Sequence, residues 1–162
     1  PDIDLPQFAL DKLSKNVDQA LARLEGESQI VIFGCDHGND IGKLASPDVA
    51  VFSLPCIAML PPAFMDYVLT RGHADGIMLA GCRENECFHR LGVEWTELRI
   101  GGKRDPYLRD RVPRERIATA WLAPTEPGEL ADRLKAFRDH LMAMKTSAAK
   151  EGDGEKEHPH AS

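Results

Sequence analysis

Residues Ile30-Val31-Ile32-Phe33, followed at once by Gly34-Cys35, make a short run in which every apolar side chain is β-branched or aromatic. It has no polar face, and that suits a strand covered on both sides, as in a parallel sheet. Three more runs share this character: Val49-Ala50-Val51-Phe52-Ser53-Leu54, Gly76-Ile77-Met78-Leu79-Ala80 and Ile117-Ala118-Thr119-Ala120-Trp121-Leu122. Helical spacing separates them. Phe64, Tyr67, Val68 and Leu69 share faces between Ala63 and Arg71, and Leu130, Leu134, Phe137, Leu141 and Met144 recur between Glu129 and Met144. Strands alternating with helices predict an α/β domain built on a doubly wound parallel sheet of about four strands.

Ahead of the first strand, Leu10, Leu13, Val17, Ala20, Leu21 and Leu24 fall on one helical face, with Asp11, Lys12, Lys15, Asp18 and Arg23 on the other. This predicts an N-terminal amphipathic helix ending near Gly26. The organisation expected is therefore a helical segment over 1–27, an α/β domain over 28–144 and a disordered tail over 145–162. The tail, KTSAAKEGDGEKEHPHAS, shows no apolar periodicity. The stretch from Arg99 to Arg116 holds seven basic residues and the pair Gly101-Gly102. It reads as a long surface loop with one helical turn, able to dock an acidic partner surface.

Composition narrows the function. A formal net charge of -6 argues against a nucleic-acid binder, whose phosphate contacts need a basic surface. No apolar run nears the ~20 residues of a membrane helix. The opening PDIDLPQF lacks the basic and apolar regions of a signal peptide, so a cytoplasmic setting is expected. There, cysteines are better read as ligands or reactive thiols than as disulfides.

The chain has four cysteines, and their placement carries the chemistry. Cys35 follows the first strand, Cys56 the second and Cys82 the third, with Cys87 in the turn beyond. Parallel strands share one carboxyl edge, where ligands bind. Residues far apart in sequence should therefore converge there, and Cys35, Cys56, Cys82 and Cys87 are the candidate ligands of one metal site. Gly34, Gly81 and Pro55 suit a backbone that must approach a bound group closely. Four thiolates fit either zinc or an iron–sulfur cluster. The C-x2-C pairs common in structural zinc sites are absent, and the one close pair is Cys82-x4-Cys87. His37 and His89 stand near Cys35 and Cys87 and read as partly exposed loop histidines rather than ligands. A thiol enzyme or redox sensor using Cys35 with His37 would leave the other cysteines unexplained. The Gly34, Gly38 and Gly42 spacing is not that of a dinucleotide or phosphate loop.

The segment from about Ile30 to Met144 resembles the MvhD family, the small iron–sulfur subunit of methyl-viologen-reducing hydrogenase. The likeness is carried by Gly72-His73-Ala74-Asp75-Gly76-Ile77-Met78-Leu79-Ala80-Gly81-Cys82, then by Glu86-Cys87-Phe88-His89. Cys56 with Pro62-Ala63-Phe64, and Phe33-Gly34-Cys35, supply two further anchors. The resemblance implies a flavodoxin-like fold and one 2Fe–2S cluster on the four cysteines. It further implies electron relay between an upstream donor and an HdrA-like flavoprotein. His37, Met59 and His89 are expected as exposed residues at the cluster edge, facing a partner. The family's first loop usually carries more cysteines than the one found here. The alternatives from the residues alone are a zinc-stabilised interaction module and a thiol-based redox enzyme or sensor.

Overall fold

The computed structural model describes residues 10–26, 28–36, 41–70, 74–82, 92–105, 108–109, 112–122 and 127–154. Strands β1 (Ile30–Cys35), β2 (Val49–Leu54), β3 (Gly76–Gly81) and β4 (Ile117–Trp121) form one sheet in the order β2-β1-β3-β4. Every pairing is parallel, with Ile30 opposite Val49 on one side and Gly76 on the other. Helices α1 (Leu10–Arg23), α2 (Pro62–Thr70), α3 (Gly92–Ile100) and α4 (Pro127–Gly154) flank it. This is the flavodoxin-like α/β arrangement expected.

The two-residue period of the strands divides the core between the faces. Val31, Phe33, Ile77 and Leu79 pack with Leu13, Val17 and Leu21 of α1 and Met65, Val68 and Leu69 of α2. Ile30, Ile32, Met78 and Ala80 pack with Leu130, Leu134, Phe137 and Leu141 of α4. Central strands β1 and β3 are buried along their whole length, which is why they read as continuous apolar runs. Burying each such side chain contributes roughly 1.5–3 kcal/mol. The N-terminal amphipathic helix is present as α1, and its apolar stripe lies on the sheet.

The order of the strands makes a switch point. From β1 the chain moves outward to β2, then returns to the other side of β1 for β3 and β4. The carboxyl ends of β1 and β3 therefore make the switch point, the place where open α/β sheets bind ligands. The opposite end of the sheet is tied shut. Asp75 accepts from the Gln29 N–H at 2.7 Å and pairs with Lys145 at 3.0 Å. Arg116 donates to the carbonyls of Asp75 and Ala74 at 2.7 and 2.8 Å.

Three expectations are corrected. Helix α4 does not stop at Met144 but runs through to Gly154, so positions 145–154 of the expected disordered tail are helical. Ala and Lys are strong helix formers, and an existing helix extends without a new nucleation step. Residues 155–162 lie outside the described residues. Helix α3, which the apolar spacing does not announce, precedes the stretch read as a basic loop and takes in its first two residues, Arg99 and Ile100, while 101–105 are turn and bend as expected. Finally, several arginines of that stretch are not solvated loop charges. Arg114 donates to the carbonyls of Arg109, Val112 and Leu108, folding the segment back on itself. The turn Arg114–Arg116 is the single helical turn expected.

Candidate metal centre

β1 ends in Cys35 itself, and β3 ends at Gly81, one residue before Cys82. In the ladder Gly34 is opposite Ala80, which brings the two cysteines together at the switch point. Their Sγ atoms stand 3.5 Å apart. Two thiolates on one tetrahedral metal, with bonds of about 2.3 Å, stand about 3.8 Å apart. The pair thus has nearly the spacing that a shared metal imposes.

Cys56 belongs to the neighbouring strand end. Cys35 is opposite Leu54, and the chain continues through Pro55, whose carbonyl lies 3.7 Å from the Cys35 sulfur. Cys56 then opens the single turn Ile57–Met59, with its carbonyl accepting from the Met59 N–H at 3.0 Å. Cys35, Cys56 and Cys82 are all buried, at 3%, 5% and 4% exposure, and none forms a disulfide. Their neighbours along the chain, Leu54, Ile57 and Leu60, belong to a buried apolar cluster.

Cys87, His37 and His89 lie outside the described residues. Among the described residues, no group of three or more His, Cys, Asp and Glu side chains is gathered as a metal site. What the donors do offer is a soft, all-sulfur set: two thiols at ligand spacing and a third on the adjacent strand end. That chemistry suits iron–sulfur or zinc and disfavours magnesium or calcium. Met59, expected at the edge, is half-buried in the turn after Cys56.

Gly34 and Gly81 flank the thiols, and each has a neighbour pressed against it. A Cβ on Gly34 would come within 2.7 Å of the Ile41 side chain. A Cβ on Gly81 would come within 2.6 Å of the Trp121 indole and 3.5 Å of Ile57.

Sequence reasoning missed the groups that hold this edge in place. Arg99 of α3 donates from Nη1 to the Ala58 carbonyl at 2.8 Å, fixing the turn that follows Cys56. Ser53 Oγ donates to Asp36, pinning the residue after Cys35 to β2. Asp36 N–H also donates to the Leu54 carbonyl at 2.7 Å. Trp121 Nε1 donates to Glu97 Oε1 at 2.7 Å, which ties β4 to α3 beside Gly81. Charge and aromatic type are visible in a sequence, but a side chain's carbonyl partner is not. The one available signal was Trp121 at a strand end level with a glycine.

Similarity to known proteins agrees with this architecture. The family described as methyl-viologen-reducing hydrogenase, delta subunit, matches residues 30–145. A relative from Methanococcus voltae, the iron-sulfur subunit of the F420-non-reducing hydrogenase vhc, is 24% identical over 136 residues. That match covers 79% of this chain and 94% of the relative. The iron-sulfur subunit of the F420-non-reducing hydrogenase of Archaeoglobus profundus is 26% identical over 122 residues, 70% of this chain and 88% of the relative. A third relative, from Methanosarcina acetivorans, is a subunit of the ferredoxin/F(420)H(2)-dependent CoB-CoM heterodisulfide reductase, 24% identical over 110 residues. Here 67% of this chain matches only 14% of the relative, so this unit corresponds to a small part of that larger protein. The family match takes in the whole sheet and all four cysteines, though not α1, and the chain belongs to the methyl-viologen-reducing hydrogenase delta-subunit family.

Proposed function

We propose that this protein is an electron-transfer subunit carrying one 2Fe–2S cluster at the carboxyl edge of its sheet. It relays electrons between an upstream donor and an HdrA-like flavoprotein of heterodisulfide reductase type. The observation that carries the reading is the 3.5 Å separation of the Cys35 and Cys82 sulfurs at the switch point, with Cys56 buried on the next strand end. Cys35, Cys56, Cys82 and Cys87 would hold the cluster. When bound, the cluster supplies transfer of single electrons.

The chain's own residues do the rest. The buried, apolar setting of the three described thiols keeps water from the sulfurs, one of the levers that set a potential. Gly34 and Gly81 would let the backbone approach the cluster, while Ile41 and Trp121 fill the space a Cβ would take at each. Arg99, Ser53 and Asp36 fix the turns that present Cys56 and Cys35. No side chain is needed as acid or base, so the role is that of a relay rather than a catalyst. A cytoplasmic setting, which keeps thiols reduced, suits this ligand set. Among the described residues no helix is long and apolar enough to cross a membrane.

The partners follow from where the unit recurs. A similar unit makes up nearly all of two hydrogenase subunits and a small part of a heterodisulfide reductase component. A unit that occurs both alone and joined to a reductase suits a relay placed between donor and acceptor. The test is an electron paramagnetic resonance spectrum of anaerobically purified protein after chemical reduction. A signal of one reduced 2Fe–2S centre supports the proposal. Silence, in protein that holds zinc, overturns it.

A further inference from the structure

We propose that Cys35 and Cys82 form a specific dithiol–disulfide pair, a covalent state open to the protein whenever the metal site is empty. The inference rests on the cluster reading only in that the cluster would occupy the same thiols.

The geometry is already close to what the bond requires. The two sulfurs are 3.5 Å apart and need to close to about 2.05 Å. The backbone supports the pairing. Gly34 is opposite Ala80, so Cys35 ends β1 beside the end of β3, and Cys82 is the residue that follows β3. Both strands are central and fully buried, which fixes the two chain ends that carry the thiols.

The oxidant is a low-molecular-weight disulfide, RSSR. One protein thiolate attacks it, forming a mixed disulfide and releasing RS⁻. The second protein thiolate then attacks the protein-bound sulfur and releases another RS⁻. The protons of the two protein thiols pass to the two RS⁻ groups. The sum is protein dithiol plus RSSR giving protein disulfide plus two RSH: the protein loses two electrons and RSSR gains them. Proximity makes the second step intramolecular, so the mixed disulfide does not accumulate. The product would block metal loading until a reducing dithiol restored the pair.

The sequence makes the test direct. Tryptic cleavage at Arg23, Lys43, Arg71, Arg83 and Arg90 places each of the four cysteines on its own peptide. Metal-free protein is incubated with oxidised glutathione, the remaining thiols are alkylated, and the digest is read by mass spectrometry. The expected result is the 24–43 and 72–83 peptides linked to each other, with Cys56 and Cys87 alkylated. Cys35 and Cys82 alkylated, held as stable glutathione adducts, or linked mainly to Cys56 or Cys87 would overturn the proposal. Iron and sulfide are measured separately on anaerobically purified protein. A specific disulfide without iron would remove the cluster reading and keep the pair, and the converse would do the opposite.

Discussion

Arg99 reaches across from α3 to the carbonyl of Ala58, 2.8 Å away, and so joins the helix beyond Cys87 to the turn that follows Cys56. Two segments 41 residues apart in sequence are thereby held by one guanidinium. Removing one partner of a part-buried hydrogen bond costs about 1–3 kcal/mol. Arg99→Ala should lower stability by that order in urea unfolding and reduce the iron retained per chain. Arg99→Lys, which keeps a donor and the charge, should recover part of both. Equal iron retention in all three proteins would separate Arg99 from the thiol edge.

The contact between Gly81 and Trp121 predicts a coupled pair. A methyl group at Gly81 would sit 2.6 Å from the indole. Overpacking of this kind typically costs about 1–3 kcal/mol. Gly81→Ala should therefore destabilise the protein, and much less so in a Trp121→Ala background where the ring is gone. A double-mutant cycle by denaturant unfolding reads the coupling directly. Strict additivity would show that the indole does not rest on Gly81.

The arginines of the stretch from 99 to 116 should divide into two classes. Arg116 bonds two carbonyls at the closed end of the sheet, whereas the Arg109 side chain is exposed. Arg116→Gln should cost about 1–3 kcal/mol through the carbonyls left unpaired. Arg109→Gln should fall within about 0.5 kcal/mol of the parent, as surface changes usually do. If Arg109 serves to dock an acidic partner, its substitution should instead slow association and weaken its salt dependence. Chevron or equilibrium unfolding of both variants, beside stopped-flow binding, distinguishes these roles.

Helix α4 should be two things along its length. Phe137 is buried against the sheet, and Phe137→Ala should cost about 3–5 kcal/mol. Beyond Met144 the described side chains are exposed, and Lys145 pairs with Asp75 at a partly exposed site. Truncation after Met144 should cost no more than about 1 kcal/mol, the scale of an exposed ion pair. Thermal unfolding followed by circular dichroism checks both values, and a large loss on truncation would mean that the extension carries part of the fold.

The sheet was legible because its central strands are buried on both faces and leave no polar register to confuse the reading. The cysteines were legible for a related reason. Cys35, Cys56 and Cys82 each follow an apolar run, and parallel topology alone sends those ends to one edge; Cys87 lies outside the described residues. Helix α3 was not legible, since Gly92–Ile100 buries only Gly92, Val93 and Thr96 and so lacks a continuous apolar stripe. The arginines misled because a guanidinium that caps backbone carbonyls has the same letter as one in water. The extension of α4 was hidden because helix propensity without burial leaves no period. The Cys35–Cys82 contact depends on where the chain leaves the pleat after Gly81, a detail that no spacing rule contains.

The central claim is that the thiol edge holds iron and sulfide. Acid-labile sulfide and total metal, determined on protein purified without oxygen, test it most directly. Two iron and two sulfide per chain are expected, falling together when Cys35 or Cys82 is changed to Ser. One zinc per chain with no sulfide, in protein that is colourless in every preparation, would contradict it.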